Sequence, residues 1–543
     1  MSSVVAVVGS RIEAEVIAGL LHEHGIRALV SADDLGGLRP DLAGQGCACW
    51  WTPLTWPRRR PSSAMSMRTP RLRPANPSTD CSSGWCSCSP ARAAEPMPAL
   101  LWFRRDLRLH DHPALLAAAE AGEVLPVFVL DSRQLNGVEA VSRTYLMRSL
   151  HALNEQLDGG LCVRHGHPEQ VIPQLARELS ADAVHVSADY GNFGRSRDAA
   201  VEKTLQTLGI PLLASGSPYA VAPGRVVKAD GTPYRVFTPF HRAWLKHGWR
   251  APASSSASTR WIRLPADAIP ADDDLGGLRL PPAGEAAAAA RWARFRDQAL
   301  ADYATTHDRA DLDGTSQLSA ALRFGELHPR TLLADLGDEP GHAVIRKELA
   351  WREFYADVLW HDPRTAHEYM DARFTRMEYD LGASAEAHFT AWTQGRTGFP
   401  FVDAGMRQLL AEGWMHNRVR MVVASFLVKD LHLEWQQGAA WFARWLRDFD
   451  LASNQHGWQW TAGSGTDASP YFRVFNPVAQ GQRFDPLGDY VRRYVPELQH
   501  IAGSAVHEPW ALATGFAHGY PERMVDHGEE RAESLRRYRA ISG

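Results

Sequence analysis

From residue 98 onward the chain changes its hydrophobic rhythm once, and that single change limits the folds open to it. Apolar runs of strand length at 99–103, 124–130, 161–164, 183–187 and 211–213 alternate with helical stretches at 113–121, 141–157, 168–179 and 195–208. Alternation of this kind calls for a parallel sheet covered by helices on both faces. After about residue 291 the strand runs stop, and helical periodicity continues to about residue 450 before a loop-rich end. The expected architecture is α/β plus all-α. The sheet half spans 98–226, a connection rich in Pro, Ala, Ser and Gly spans 227–290, and the helical half spans 291–543.

Upstream, residues 1–45 read as a small α/β extension, with strands at 4–8 and 26–31 and a helix at 13–24. Residues 46–97 are rich in Pro, Ser and Arg without a sustained period, so disorder is expected there, and Met97 stands just before a convincing strand. Cys47, Cys49, Cys81, Cys86 and Cys88 all precede it, which leaves Cys162 alone in the body of the chain and excludes a disulfide framework there. The Cys-x-Cys pairs have no His or Cys at finger-like spacing, so no metal is expected.

A formal net charge of -4 does not advertise nucleic-acid binding, yet a local basic patch would suffice for it. No run approaches the roughly 18 apolar residues that cross a bilayer, and no secretory signal opens the sequence, so no membrane partner and a cytoplasmic location are expected. The α/β half lacks GxGxxG and P-loop patterns, which removes the usual dinucleotide and triphosphate fingerprints.

Chemistry concentrates in the helical half, where nine of the 19 tryptophans lie between Trp351 and Trp460. Residues 413–460 begin as a buried amphipathic helix through Val422, Phe426, Leu427 and Leu431. Its first turn nevertheless carries His416, Asn417, Arg418 and Arg420, and the stretch ends in Asp448, Asp450, Asn454, Trp458 and Trp460. Polar groups gathered on a buried surface need partners, and a ligand is one source of them. Glu348, Trp351 and Arg352 share a helical face, as do Asn417, Arg420 and Met421. Arg420 and Asp448 could form a buried ion pair. The segment Thr315, Ser316, Gln317, Leu318 and Ser319 either caps a helix or offers donors to a phosphate.

These segments stand in one order with LLWFRRDLRLHDHPAL, YRVFTPFHRAW, TGFPFVDAGMRQL, WMHNRVRM, DLASNQHGWQW and GTDASPYFRVFNPVAQG. Together they resemble the DNA photolyase/cryptochrome family from about residue 98 to the C-terminus, and within it the class I cyclobutane pyrimidine dimer photolyases. The resemblance implies an antenna-holding α/β domain and a helical domain that binds a U-shaped FAD, active when reduced. Tyr303, Thr315, Ser316, Leu318 and Ser319 match the FAD-phosphate segment, and Gln317 stands where Arg is more common. Arg352, Arg420, Asp448, Phe449, Asp450 and Asn454 match groups around the flavin, with the Asn454 amide beside flavin N5.

Glu348, Trp351, Asn417, Met421 and Trp460 match the family's lesion pocket, which receives a damaged base flipped out of the stack. Arg418, Arg473 and Gln480 match flanking-DNA contacts. Relatives that repair (6-4) photoproducts carry histidines where Asn417 and Met421 stand, so cyclobutane dimers in UV-damaged DNA are the expected substrate. Trp458 and Trp435 match the inner pair of a three-residue aromatic electron relay. The outermost position lacks a tryptophan, and Tyr379 is the nearest candidate. YGNFGRSRD (190–198) resembles deazaflavin-binding relatives, which favours 8-hydroxy-deazaflavin over methenyltetrahydrofolate as antenna. The family suggests a monomer. The rival reading is a cryptochrome-like photoreceptor that keeps the flavin and does not repair.

Overall fold

The computed structural model describes residues 3–8, 28–31, 47–51 and 98–542, apart from 136 and 255–258. The chain forms two compact units, Met1–Ser89 and Pro90–Gly543. In the first, β1 (Ser3–Val8), β2 (Ala28–Ser31) and β3 (Cys47–Trp51) make an antiparallel sheet with β3 in the centre. The helix expected at 13–24 lies outside the described residues. β3 corrects the expectation of disorder from residue 46. Five residues are too few to display a period, and pairing with two strands distant in sequence decides their conformation.

The second unit opens with a five-stranded parallel sheet in the order β6-β5-β4-β7-β8. Its strands are β4 (Ala99–Phe103), β5 (Val124–Leu130), β6 (Cys162–His165), β7 (Ala183–Val186) and β8 (Leu212–Ala214). The covering helices are α1 (Pro113–Ala121), α2 (Ala140–Gln156), α3 (Pro168–Glu178) and α4 (Asn192–Gln206). Every residue of β4 and β5 is buried. Leu101 and Phe103 pack with Tyr145 and Leu150 of α2 on one face, while Leu100 and Trp102 meet Ile172 and Val201 of α3 and α4 on the other. A sheet covered twice has no polar face, so its strands read as unbroken apolar runs.

Within 227–290 the structure replaces part of the expected connection with α5 (Phe237–His247). Phe237, Phe240 and Trp244 form one buried stripe at helical spacing, so this segment joins the helical core despite its polar flanks. The helices that build the site are α6 (Glu285–Gln298), α7 (Ser319–Phe324), α8 (Pro340–His361), α9 (Pro400–Glu412), α10 (Asn417–Lys429), α11 (Trp435–Trp445), α12 (Leu451–Ala462) and α13 (Pro477–Phe484). Among the described residues no strand follows β8.

α10 sits at the centre of the helical half, with Val419, Val422, Val423, Phe426 and Leu427 fully buried. Each such side chain contributes about 1.5–3 kcal/mol relative to exposure. The Glu326 carboxylate ties the halves together by accepting from Tyr145 Oη (3.1 Å), Ser149 Oγ (2.7 Å) and the Gly284 amide (2.6 Å).

Candidate functional site

α8 presents Glu348, Trp351 and Arg352 on one face, as their spacing predicts. Arg352 donates to the Pro218 and Leu322 carbonyls, both at 3.1 Å, and its guanidinium lies 4.7 Å over the Tyr219 ring. Trp351 stacks on Phe237 of α5 at 3.7 Å between centroids. The Glu348 side chain is exposed and takes the Tyr303 hydroxyl. The surrounding protein pushes its carboxyl up to about 7; the Tyr303 hydroxyl pulls it down and the nearby Asp308 carboxylate adds to the rise.

α10 starts directly after His416, whose Nδ1 accepts from the Arg418 amide at 3.2 Å and caps the helix. Asn417 is exposed, and Met421 is half-buried one turn on. Arg418 makes a two-point pair with Asp308, Nε to Oδ1 at 3.1 Å and a terminal nitrogen to Oδ2 at 2.7 Å. Arg420 donates to the Met415 carbonyl (2.8 Å) and to Asp448 Oδ2 (2.8 Å), so the expected Arg420–Asp448 ion pair is present.

Asp450 caps α12 by accepting from the Ser453 amide at 3.1 Å and pairs with Arg105 at 2.7 Å. Burial opposes its ionisation, but Arg105, Arg323 and Arg352 outweigh that and hold the carboxyl well below the usual carboxylate range. Arg323 also donates to the Phe449 carbonyl at 2.7 Å. Asn454 Nδ2 donates to the Ala439 carbonyl (3.1 Å) and to Gln455 (2.8 Å).

The edge of the Trp458 ring abuts α11 at Gly438, where a Cβ would collide with it. It meets Trp392 at 6.2 Å and Phe442 at 5.0 Å. Trp435 is edge-on to Tyr369 at 6.2 Å, and Tyr369 stacks on Tyr379 at 6.5 Å. Tyr369 escaped the sequence reading, since nothing in its local pattern separates it from any half-buried tyrosine. Trp460 is half-buried near the C-terminal end of α12; Arg473 is exposed, and Gln480 on α13 keeps its Oε1 buried without a partner.

In the segment before α7, Gln317 adopts φ +48° and accepts from Arg447 at 3.2 Å. Arg447, Arg105, Arg323 and Asp308 were also invisible to sequence reasoning. Their partners lie between about 110 and 345 positions away, beyond any periodic signal.

Residues 99–257 match the DNA photolyase family, and residues 344–540 match the FAD binding domain of DNA photolyase. The deoxyribodipyrimidine photo-lyase of Streptomyces griseus is 40% identical over 453 residues, covering 80% of this chain and 97% of the relative. That of Escherichia coli is 36% identical over 478 residues, covering 81% and 98%. The chain belongs to the DNA photolyase family. Among solved structures, a bacterial class III photolyase from Agrobacterium tumefaciens aligns with a TM-score of 0.75 at 36% identity, covering 84% of this chain and 99% of its own. A Synechocystis cryptochrome aligns with a TM-score of 0.72 at 30% identity, covering 81% and 99%.

The residues present fit the FAD that this photolyase-family domain binds. Thr315 and Ser316 are half-buried, and their hydroxyls take no partner among the described residues. Asp448 has a side chain only 1% exposed, yet its Oδ1 accepts nothing from the chain. The Asn454 carboxamide oxygen is likewise free of protein donors among the described residues. A buried polar atom such as Asp448 Oδ1 is rarely left this way in a native structure without a ligand or ordered water. Thr315, Ser316 and Ser319 would hold the phosphates, and Asp448, Asp450 and Asn454 the flavin end.

Proposed function

We propose that this chain repairs cyclobutane pyrimidine dimers in UV-damaged DNA under blue light, as a monomer. The observation that carries the reading is that one turn, 303–308, bonds both Glu348 and the Asn417–Arg418 start of α10, through Tyr303 and Asp308. The Glu348 and Asn417 side chains are exposed and Trp351 is half-buried. Reduced FAD, when bound, supplies the light-driven donation of one electron that splits such a dimer. The chain's own residues do the rest. Trp351 and Trp460 offer flat apolar walls, Met421 fills an irregular gap, and Asn417 hydrogen-bonds the pyrimidine edge.

Glu348, in its protonated form, donates toward the pyrimidine carbonyl where negative charge collects. Arg418, Arg473 and Gln480 position the flanking backbone. Trp435, Tyr369 and Tyr379 are successive ring neighbours, and together with Trp458 they would pass an electron to the flavin end. Asn417 and Met421 stand where histidines would favour (6-4) photoproducts, which supports the cyclobutane dimer as substrate.

The 190–198 segment supports 8-hydroxy-deazaflavin as antenna. Next to that segment Arg104 pairs with Asp198, and Arg197 with Asp189 and Asp198. An absorption band near about 440 nm in the purified protein, as against about 380 nm for a folate, tests the assignment.

The likeness to a cryptochrome favours one competing reading, flavin binding and signalling without repair. Incubating FAD-loaded protein with a dimer-containing oligonucleotide in blue light and in darkness separates the two. Repair in light alone supports the proposal; binding with no repair overturns it in favour of the photoreceptor.

A further inference from the structure

The hydroxyl of Tyr303 does not turn toward the phosphate segment with which its sequence position groups it. Tyr303 is only 4% exposed and opens the short helical turn Tyr303–Thr306, with its ring edge-on to Phe295 at 5.1 Å. Its one O–H bond is directed at Glu348, 3.0 Å from Oε1 and 3.1 Å from Oε2. A few residues on, Asp308 grips Arg418, the neighbour of Asn417. The turn therefore touches both pocket residues that can read a pyrimidine edge, Glu348 directly and Asn417 through the start of α10.

We propose that Tyr303 is a positioning residue for lesion recognition, its hydroxyl fixing the Glu348 carboxyl against the pyrimidine edge while Asp308 fixes the Asn417–Arg418 end of α10 through the same turn. The inference rests on the reading of Glu348 and Asn417 as a dimer pocket. The chemistry is that of a phenol donating to a carboxylate, which favours the ionised acid. The charged and titratable groups that face Glu348 are Tyr303 and Asp308. Behind Asp308 lie Arg418 at 2.7 Å, His307 at 3.7 Å, and His416, whose imidazole burial lowers to about 4 and keeps neutral. Among these, only the Tyr303 hydroxyl bonds the Glu348 carboxylate. The state of that carboxylate decides whether Glu348 donates to a pyrimidine carbonyl or accepts from its ring N–H.

The test uses the FAD-loaded full chain in darkness. It measures binding of a dimer-containing and an undamaged oligonucleotide from pH 5.5 to 9, for the wild type, Tyr303→Phe, Glu348→Gln and the double variant. Flavin content is read from absorbance. Tyr303→Phe should keep its flavin and move the midpoint of lesion preference upward by about one pH unit, the size of one lost hydrogen bond to a carboxylate. In the Glu348→Gln background the same substitution should cost little further, because the partner it acts through is gone. An infrared carboxyl band missing from Glu348→Gln should show the same upward shift without DNA.

Loss of flavin from Tyr303→Phe would overturn the inference and return Tyr303 to the phosphates. So would an unmoved midpoint, or an equal cost in both backgrounds. A wild type with no lesion preference at any pH would instead sink the dimer-pocket reading, while the infrared titration still reports on Tyr303 and Glu348.

Discussion

Replacing Arg420 by Ala should unfold this chain several degrees early, and the structure sets the size. Asp448 has a side chain 1% exposed, receives a hydrogen bond from Arg420 at 2.8 Å, and has no partner for Oδ1 among the described residues. Removing the guanidinium leaves a buried carboxylate uncompensated, a change that typically costs about 3–5 kcal/mol. A folded unit of about 450 residues unfolds with an entropy near about 0.95 kcal/mol/K, so the thermal midpoint should fall by about 3–5 °C. Calorimetry on flavin-free protein isolates the pair from any cofactor contact. Arg420→Met with Asp448→Leu should recover most of the loss, because an apolar pair of similar volume avoids the stranded charge. A fall under about 1 °C for the single variant, or no recovery in the double, would refute the argument.

Three further outcomes follow from the same geometry. Glu353 is buried and accepts from the Val221 amide and the Trp244 indole, and burial raises its carboxyl to about 7. A raised carboxyl stabilises the fold below its unfolded value and loses that contribution as pH climbs toward 7. The urea midpoint of Glu353→Gln should therefore gain on wild type between about pH 5 and 7, and a constant gap would count against the shift. Gly438→Ala drives a methyl into Trp458 and Leu427, so stability should drop by about 1–3 kcal/mol in denaturant titrations. Tyr369→Phe and Trp435→Phe should each slow flavin photoreduction with flavin content unchanged. Wild-type speed in Trp435→Phe would end the relay proposal.

Legibility in the sequence tracked the range of the interaction. β4 spans the 99–103 run, and α2 at Ala140–Gln156 falls within a residue of its expected limits, because burial on both faces imprints unbroken apolar runs on neighbouring residues. The faces Glu348–Arg352 and Asn417–Met421 were readable for a similar local reason. α5 was hidden by the Pro- and Ser-rich residues around it, although its aromatic stripe carried the signal. β3 was too short to carry one.

By itself the sequence determined the two kinds of layer, their order, the family, and which residues would crowd into the helical half, since periodicity and motif order are properties of neighbours along the chain. Only the tertiary structure decided that Arg105 of the sheet half neutralises Asp450, that Tyr303 gives its hydroxyl to Glu348, and that Tyr369 bridges Trp435 to Tyr379. Each is a contact between groups ten to several hundred positions apart. Hydrogen bonds and charges act through a few ångströms of space, and the spacing of residues along a chain carries no record of them until the core has folded.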